Sequence, residues 1–147
     1  MAALSDYLEN KLVDFVFRGQ PFTPPTTLYV ALFTTADNDA GSQRVEVSGG
    51  SYARVAVASS LANWAGTQGA GTTVASTGTS GTTSNNNSIT FPAPTAGWGT
   101  VVGIGIFDAA TGGNELVYGA LATSKTINSG DAAPLFSAAA LSLQLDN

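Results

Sequence analysis

Apolar residues recur at helical spacing near the start of the chain. Leu8, Leu12 and Phe15 fall on one face with Val16 beside them, which predicts an amphipathic helix over residues 5–18. Ser5 or Asp6 is placed to cap it, Asp6 and Glu9 sit where the helix dipole favours negative charge, and Gly19 ends it. A lone helix of this length is marginal in water, so its apolar stripe is expected to dock on the rest of the fold. Pro24 and Pro25 then force an extended entry into the next element.

Beyond Pro25 the period becomes that of strands. TTLYVALFT (26–34) is β-branched, aromatic and apolar on both faces, the pattern of a central strand covered on both sides. A polar turn, ADNDAGSQ, leads to YARVAVASS, where Tyr52, Arg54 and Ala56 alternate with Ala53, Val55 and Val57 as in a strand with one wetter face. From Gly66 to Asn87 the composition falls to Gly, Thr, Ser, Ala and Asn around a single sizeable apolar residue, Val74. That segment buries too little to offset its ordering entropy and is expected to be a long exposed loop or arm, ordered by a neighbour. Further short runs follow, SITFPAP, KTINSGD and AALSLQLD, the last alternating Leu141, Leu143 and Leu145 with Ser142, Gln144 and Asp146. The fold class expected is mostly β: one antiparallel β-sandwich domain over 1–147, with an N-terminal α-helix and a Gly/Thr/Ser/Asn-rich loop at 66–87.

The most regular stretch, VVGIGIFDAATGGNELVYGAL (101–121), reads as two strands joined through Gly112 and Gly113. Val102, Ile104 and Ile106 are expected on one face, with Gly103 and Gly105 leaving the other bare. A strand that needed only a polar outer face would use Thr, Ser or Lys, which cost less backbone entropy than glycine. The face of Gly103, Gly105 and Gly119 is therefore expected to be close-packed, against the Leu8, Leu12, Phe15 stripe, an aromatic such as Trp98, or a neighbouring subunit.

Composition narrows the function. A chain of 147 residues can bury a core without disulfides or metal. Its formal net charge is −5, and its five cations, Lys11, Arg18, Arg44, Arg54 and Lys125, are scattered, so no nucleic-acid partner is expected. The absence of cysteine and histidine removes thiolate and imidazole chemistry together, and with it most hydrolase and zinc sites. The acidic N-terminal segment is no secretory signal, and no apolar run is long enough to span a bilayer, so a soluble, unprocessed chain with no membrane partner is expected.

The remaining chemical candidates each have a plainer reading. DNDAG (37–41) resembles the first half of a calcium loop, but the closing acid of that pattern falls on Ser48, which favours an Asx turn. Asp108 and Glu115 flank a hairpin at a spacing that suits paired catalytic carboxylates, with no further catalytic group beside them. Ser124 and Lys125 are adjacent in a strand and so point to opposite faces. GTQGAGTT (66–73) lacks the Lys-Ser/Thr and the following helix of a phosphate cradle. Trp64, Trp98 and Tyr52 suit a sugar-stacking platform, and suit core or interface packing better. Arg54 has no partner that the sequence identifies. The expectation is a protein with no catalytic residues, cofactor or metal.

The ordered set TLYVALFTTAD, EVSGGSYARVAV, ITFPAPTAGWGTVVGIGIFDAATGGNELVYGAL and KTINSGDAAPLFSAAALSLQLD resembles small tailed-bacteriophage virion proteins of the tail-fibre-like kind, from about Thr26 to Asp146. The resemblance implies a non-enzymatic virion component, assembled in the host cytoplasm, that binds copies of itself and a larger protein lattice. The chain has no heptads, collagen-like triplets or shaft repeats, so a compact piece is expected rather than a long fibre. Capsid decoration, with the major capsid protein as partner, is the leading expectation. A tail-fibre-associated subunit comes second, and an adhesin that binds carbohydrate through Trp64 or Trp98 third.

Overall fold

A computed structural model describes residues 2–145. In chain order these form β1 (Ala2–Leu4), α1 (Asp6–Phe17), β2 (Thr27–Thr35), β3 (Val45–Glu46), β4 (Val55–Ala58), β5 (Thr82–Ser84), β6 (Ile89–Thr90), β7 (Gly99–Phe107), β8 (Glu115–Ile127), β9 (Leu135–Phe136) and β10 (Ser142–Gln144). The main sheet is six-stranded and antiparallel, in the order β1-β8-β7-β2-β3, with β4 also paired to β2. The second layer is split into two ribbons, β5 with β10 and β6 with β9. Mostly antiparallel strands with one N-terminal helix is the fold class that the residue pattern predicts.

Between the main sheet and the ribbons lies the larger core, to which Val30, Leu32, Ile104, Ile106 and Val117 contribute from the sheet and Ile89, Phe91, Leu141 and Leu143 from the opposite layer. The central strand β2 is covered on both faces, since Ala31 and Phe33 belong to a second buried cluster with Phe107. Two irregularities shape β7, one between Val101 and Gly103 and one between Ile106 and Phe107. Val101 pairs with Lys125 but Gly103 with Ala120, so extra residues of β8 bulge out between those pairs. The bulge also turns Val101 into the core and leaves Val102 half-buried, in place of the simple alternation expected from 102.

Ser5 caps α1 by accepting from Leu8 N–H, and its own N–H donates to Leu116 O, which fixes the helix start to β8. Docking stops early. Tyr7 and Leu8 pack on the core, whereas Val13, Phe15, Val16 and Phe17 are exposed, Phe17 at 81%. The expected docking of the whole stripe is therefore corrected: the strands that α1 meets are β1 and β8 at the sheet edge, its first turn also bonds Asp39 O, and its last turns are exposed. The 66–87 segment also differs at its end. Residues 66–81 carry no strand, but Thr82–Ser84 pair with β10, and Asn85 is 1% exposed inside the fold. No helix among the described residues is long and apolar enough to cross a membrane.

Candidate functional site

The second face of the main sheet carries three of the four ion pairs among the described residues. Phe33 and Phe107 meet there edge to face at 6.2 Å, and Tyr29 and Ala31 extend the patch. Register explains the cover: Glu46 pairs with Phe33 across β3 and β2, and so shares its face. The Arg54 guanidinium lies 3.6 Å from the Phe107 ring centroid and grips Glu46 through two bonds, Nε to Oε1 at 2.9 Å and Nη2 to Oε2 at 2.8 Å. Its Nη1 donates to Ala109 O and Gly112 O, both at 2.8 Å, so the same side chain holds the β7–β8 turn.

Beside it Arg44 serves two acids at once. Its Nη1 donates to Asp37 Oδ2 at 2.9 Å, Glu115 Oε2 at 3.1 Å and Gly41 O at 2.6 Å. The Asp37 side chain is 0% exposed and that of Glu115 3%. Asp37 Oδ1 also accepts from the N–H groups of Asn38, Gln43 and Arg44, whereas Glu115 Oε1 is buried without a hydrogen-bond partner. The two carboxyls titrate apart in consequence. Burial, then the neighbouring Asp37, pushes Glu115 up to about 8 against the opposing pull of Arg44 and Arg54. Burial pushes Asp37 up too, but the neighbouring Glu115, Arg44 and the backbone N–H donors outweigh it and bring the group down to about 2.

This cluster answers for one of the glycines. A Cβ on Gly105 would run into the Phe33 ring edge and lie 2.5 Å from Glu115 Oε1 and 2.9 Å from Phe107 Cε2. A Cβ on Gly103 would lie 3.0 Å from Gly119 O and 3.5 Å from Ala36 Cα. Within the chain, the neighbours of Gly103 and Gly105 are the buried acid, the aromatic pair and nearby backbone, not the α1 stripe or Trp98. Gly119 pairs with Ile104, so it belongs to the opposite face from Gly103 and Gly105, and the three do not form one surface.

The other candidate residues are dispersed. Trp98 is 5% exposed, donates from Nε1 to Gly50 O and packs edge-on against Tyr52, which closes it to any ligand. Tyr52 stacks on Phe91 inside the same core; its hydroxyl accepts from Leu32 N–H and donates to Glu46, and burial raises its pKa. Trp64 borders an open cleft, of about 420 Å³, together with Ser59, Ser60, Leu61, Gly66 and Ser76. Asp108 accepts from Asn114 N and Nδ2, both at 2.7 Å, while Glu115 turns to Arg44, so the two acids do not act as a pair. Ser124 and Lys125 are both exposed at the β8 bulge. In 37–41 Asp37 points inward, and Asp39 lies outside with Asp6 and Glu9, their carboxylate oxygens within 4.8 Å of one another at the exposed surface.

Two structural centres escaped the sequence reading. One is the Asp37–Arg44–Glu115 group, in which Glu115 lies 71 residues from Arg44. The other is Asn85, whose Nδ2 donates to Asn87 O and Ser137 O and whose Oδ1 accepts from Leu141 N–H, tying the second layer together. Nothing in the run Asn85–Asn87 marks which amide is buried.

Among known proteins, the family model described as Podophage GP4 fiber I protein gp80 matches residues 3–144. A search of curated proteins finds no match.

Proposed function

The chain belongs to the podophage GP4 fiber I protein gp80 family, and from that premise we propose that it is a fibre-associated structural subunit of the virion that acts by protein–protein contact. The observation that carries the reading is the match across residues 3–144, which takes in the helix and every strand from β2 to β10. The family description is that of a fibre protein, so the fibre reading displaces capsid decoration as the leading one. A closed core supports a binding role over a catalytic one: the acids and aromatics with chemical potential are committed to one another inside the fold. Assembly in the host cytoplasm, association with copies of itself and contact with other tail proteins belong to this proposal. The exposed apolar residues at the end of α1 support such contacts.

The test is to separate tails from filled heads of the phage that encodes the chain and assay each by immunolabelling and mass spectrometry. Recovery with tails, at a mobile tip or collar, is expected. Recovery with tail-free heads would reinstate capsid decoration.

A second reading keeps carbohydrate binding, now through Trp64 alone, because it lines the open cleft while Trp98 and Tyr52 lie in the core. A glycan array with the intact protein and Trp64→Ala tests it. Binding retained by the variant would remove Trp64 from the reading.

A further inference from the structure

The Asp37–Arg44–Glu115 group does not balance as three ions. Two carboxylates with almost no solvent exposure share a single guanidinium nitrogen, and the nearby Arg54 is already matched by Glu46. With both acids ionised, a net negative charge would be sealed beneath the 37–44 loop, a state that desolvation penalises heavily. The hydrogen bonds show which acid yields. Asp37 receives donors from Asn38, Gln43 and Arg44 backbone and from Arg44 Nη1, whereas Glu115 receives one long contact from Arg44 and has an empty Oε1 over Gly105.

We propose that Asp37 and Glu115 hold one proton between them, carried by Glu115, and that loss of this proton to solvent frees the 37–44 loop from the sheet. The arrangement is a pH-operated latch between β8 and the loop that covers Phe107. Every charged or titratable group facing Glu115 enters this balance: Asp37 and Arg44 from the loop, Arg54 ahead of β4, and Asp6, Tyr7 and Asp39 around the adjoining cleft. Arg44 and Arg54 favour the ionised acid; Asp37 and burial favour the protonated one and prevail.

The experiment is a carboxyl-carbon NMR titration of the intact protein, with hydrogen exchange of the 39–43 amides, corrected for intrinsic rates, measured over the same pH range. Glu115 is expected to titrate near 8, and the loop amides to lose protection across the same midpoint. Asp37→Asn removes the like charge and should lower the Glu115 midpoint, with burial still holding it above the ordinary carboxylate range, and Glu115→Gln should make loop protection independent of pH from about 5 to about 9. A wild-type Glu115 that titrates with the surface acids overturns the proposal, as does loop exchange that ignores the Glu115 midpoint. The wild-type titration decides the matter even if either variant fails to fold.

Discussion

Arg54 lies over Phe107, its Cζ 3.6 Å from the ring centroid, and joins elements that are distant in sequence, because the guanidinium that covers the ring also binds Glu46 and the carbonyls of Ala109 and Gly112. Removing it strips three acceptors of their donor and uncovers an aromatic. Arg54→Ala is expected to cost about 3 kcal/mol, in the range for breaking a buried ion pair. Arg54→Lys keeps the charge but cannot reproduce the planar fork, and should lose roughly half as much. Urea denaturation of the three proteins measures both, and a lysine variant as stable as wild type would show that charge alone suffices.

Stability should depend on pH with opposite signs from the two coupled acids. Glu115 has a folded pKa raised from 4.5 to about 8, so its contribution is complete below 4.5 and is lost as pH climbs through 8. Asp37 has its pKa lowered from 3.8 to about 2, so its contribution is present above 3.8 and is lost as pH falls through 2. The fold is therefore expected to melt highest in mildly acid buffer, near pH 4, and progressively lower towards pH 8. Glu115→Gln should abolish the decline on the alkaline side. A melting temperature that rises between pH 5 and pH 8 in the wild type would contradict the sign.

Gly105→Ala tests the tight approach on the second face. Its Cβ has no room beside Phe33, Phe107 and Glu115, so overpacking should cost about 1 to 3 kcal/mol, and Gly105→Val more. Phe17→Ser, at the exposed end of α1, should leave stability within about 0.5 kcal/mol of wild type. Calorimetry on the two variants separates a packing glycine from a surface residue, and equal melting of wild type and Gly105→Ala would show that the face has slack.

Much of this architecture is legible in the sequence because it rests on local periodicity. The helix over 5–18, the doubly covered strand at 26–34 and the paired strands around Gly112 and Gly113 each follow from apolar spacing and turn chemistry. What failed to show depends on distance along the chain. Asp37 and Glu115 reach one guanidinium only because β8, β7 and β2 are adjacent, and no local pattern encodes that. The glycines illustrate the boundary: close packing follows from residue type, but assigning Gly119 to the face of Gly103 required a register that the β8 bulge and the pairing with Ile104 decide. Similarly, the 12-residue α1 has an apolar stripe, and only the fold shows that the stripe outruns its support.

Asn85 is the clearest polar point of failure in the second layer. Replacing it with alanine leaves Leu141 N–H, Asn87 O and Ser137 O to find other partners, and a cost of about 2 to 3 kcal/mol is expected. Asn87→Ala, whose side chain bonds at the surface, should cost least, and Asn86→Ala, half-buried with bonds to Leu61 O, Thr72 O and Gly71 N–H, an intermediate amount. Thermal melts of the three alanine variants rank them, and an equal loss at all three positions would remove Asn85 from its special place.

The loop at 66–81 should separate into its own dynamic class. Its bonds run mainly between exposed side chains and backbone, as Gln68 to Ala75 O and Thr67 to Gly78 O do, and its one sizeable apolar residue, Val74, is 60% exposed. Few buried contacts mean a low free energy of local opening. The adjoining β5 is different, because it pairs with β10 and ends in buried Ser84 and Asn85. Amides of 66–81 are therefore expected to exchange within the shortest labelling time in the isolated protein, while those bonded within the β5–β10 ribbon persist. If the loop contributes to the virion contact proposed above, its amides gain protection in assembled tails and the ribbon changes little. Protection of 66–81 already equal to that of β5 in the free protein would mean that the segment is held by the fold itself, and its role in assembly would lose its motive.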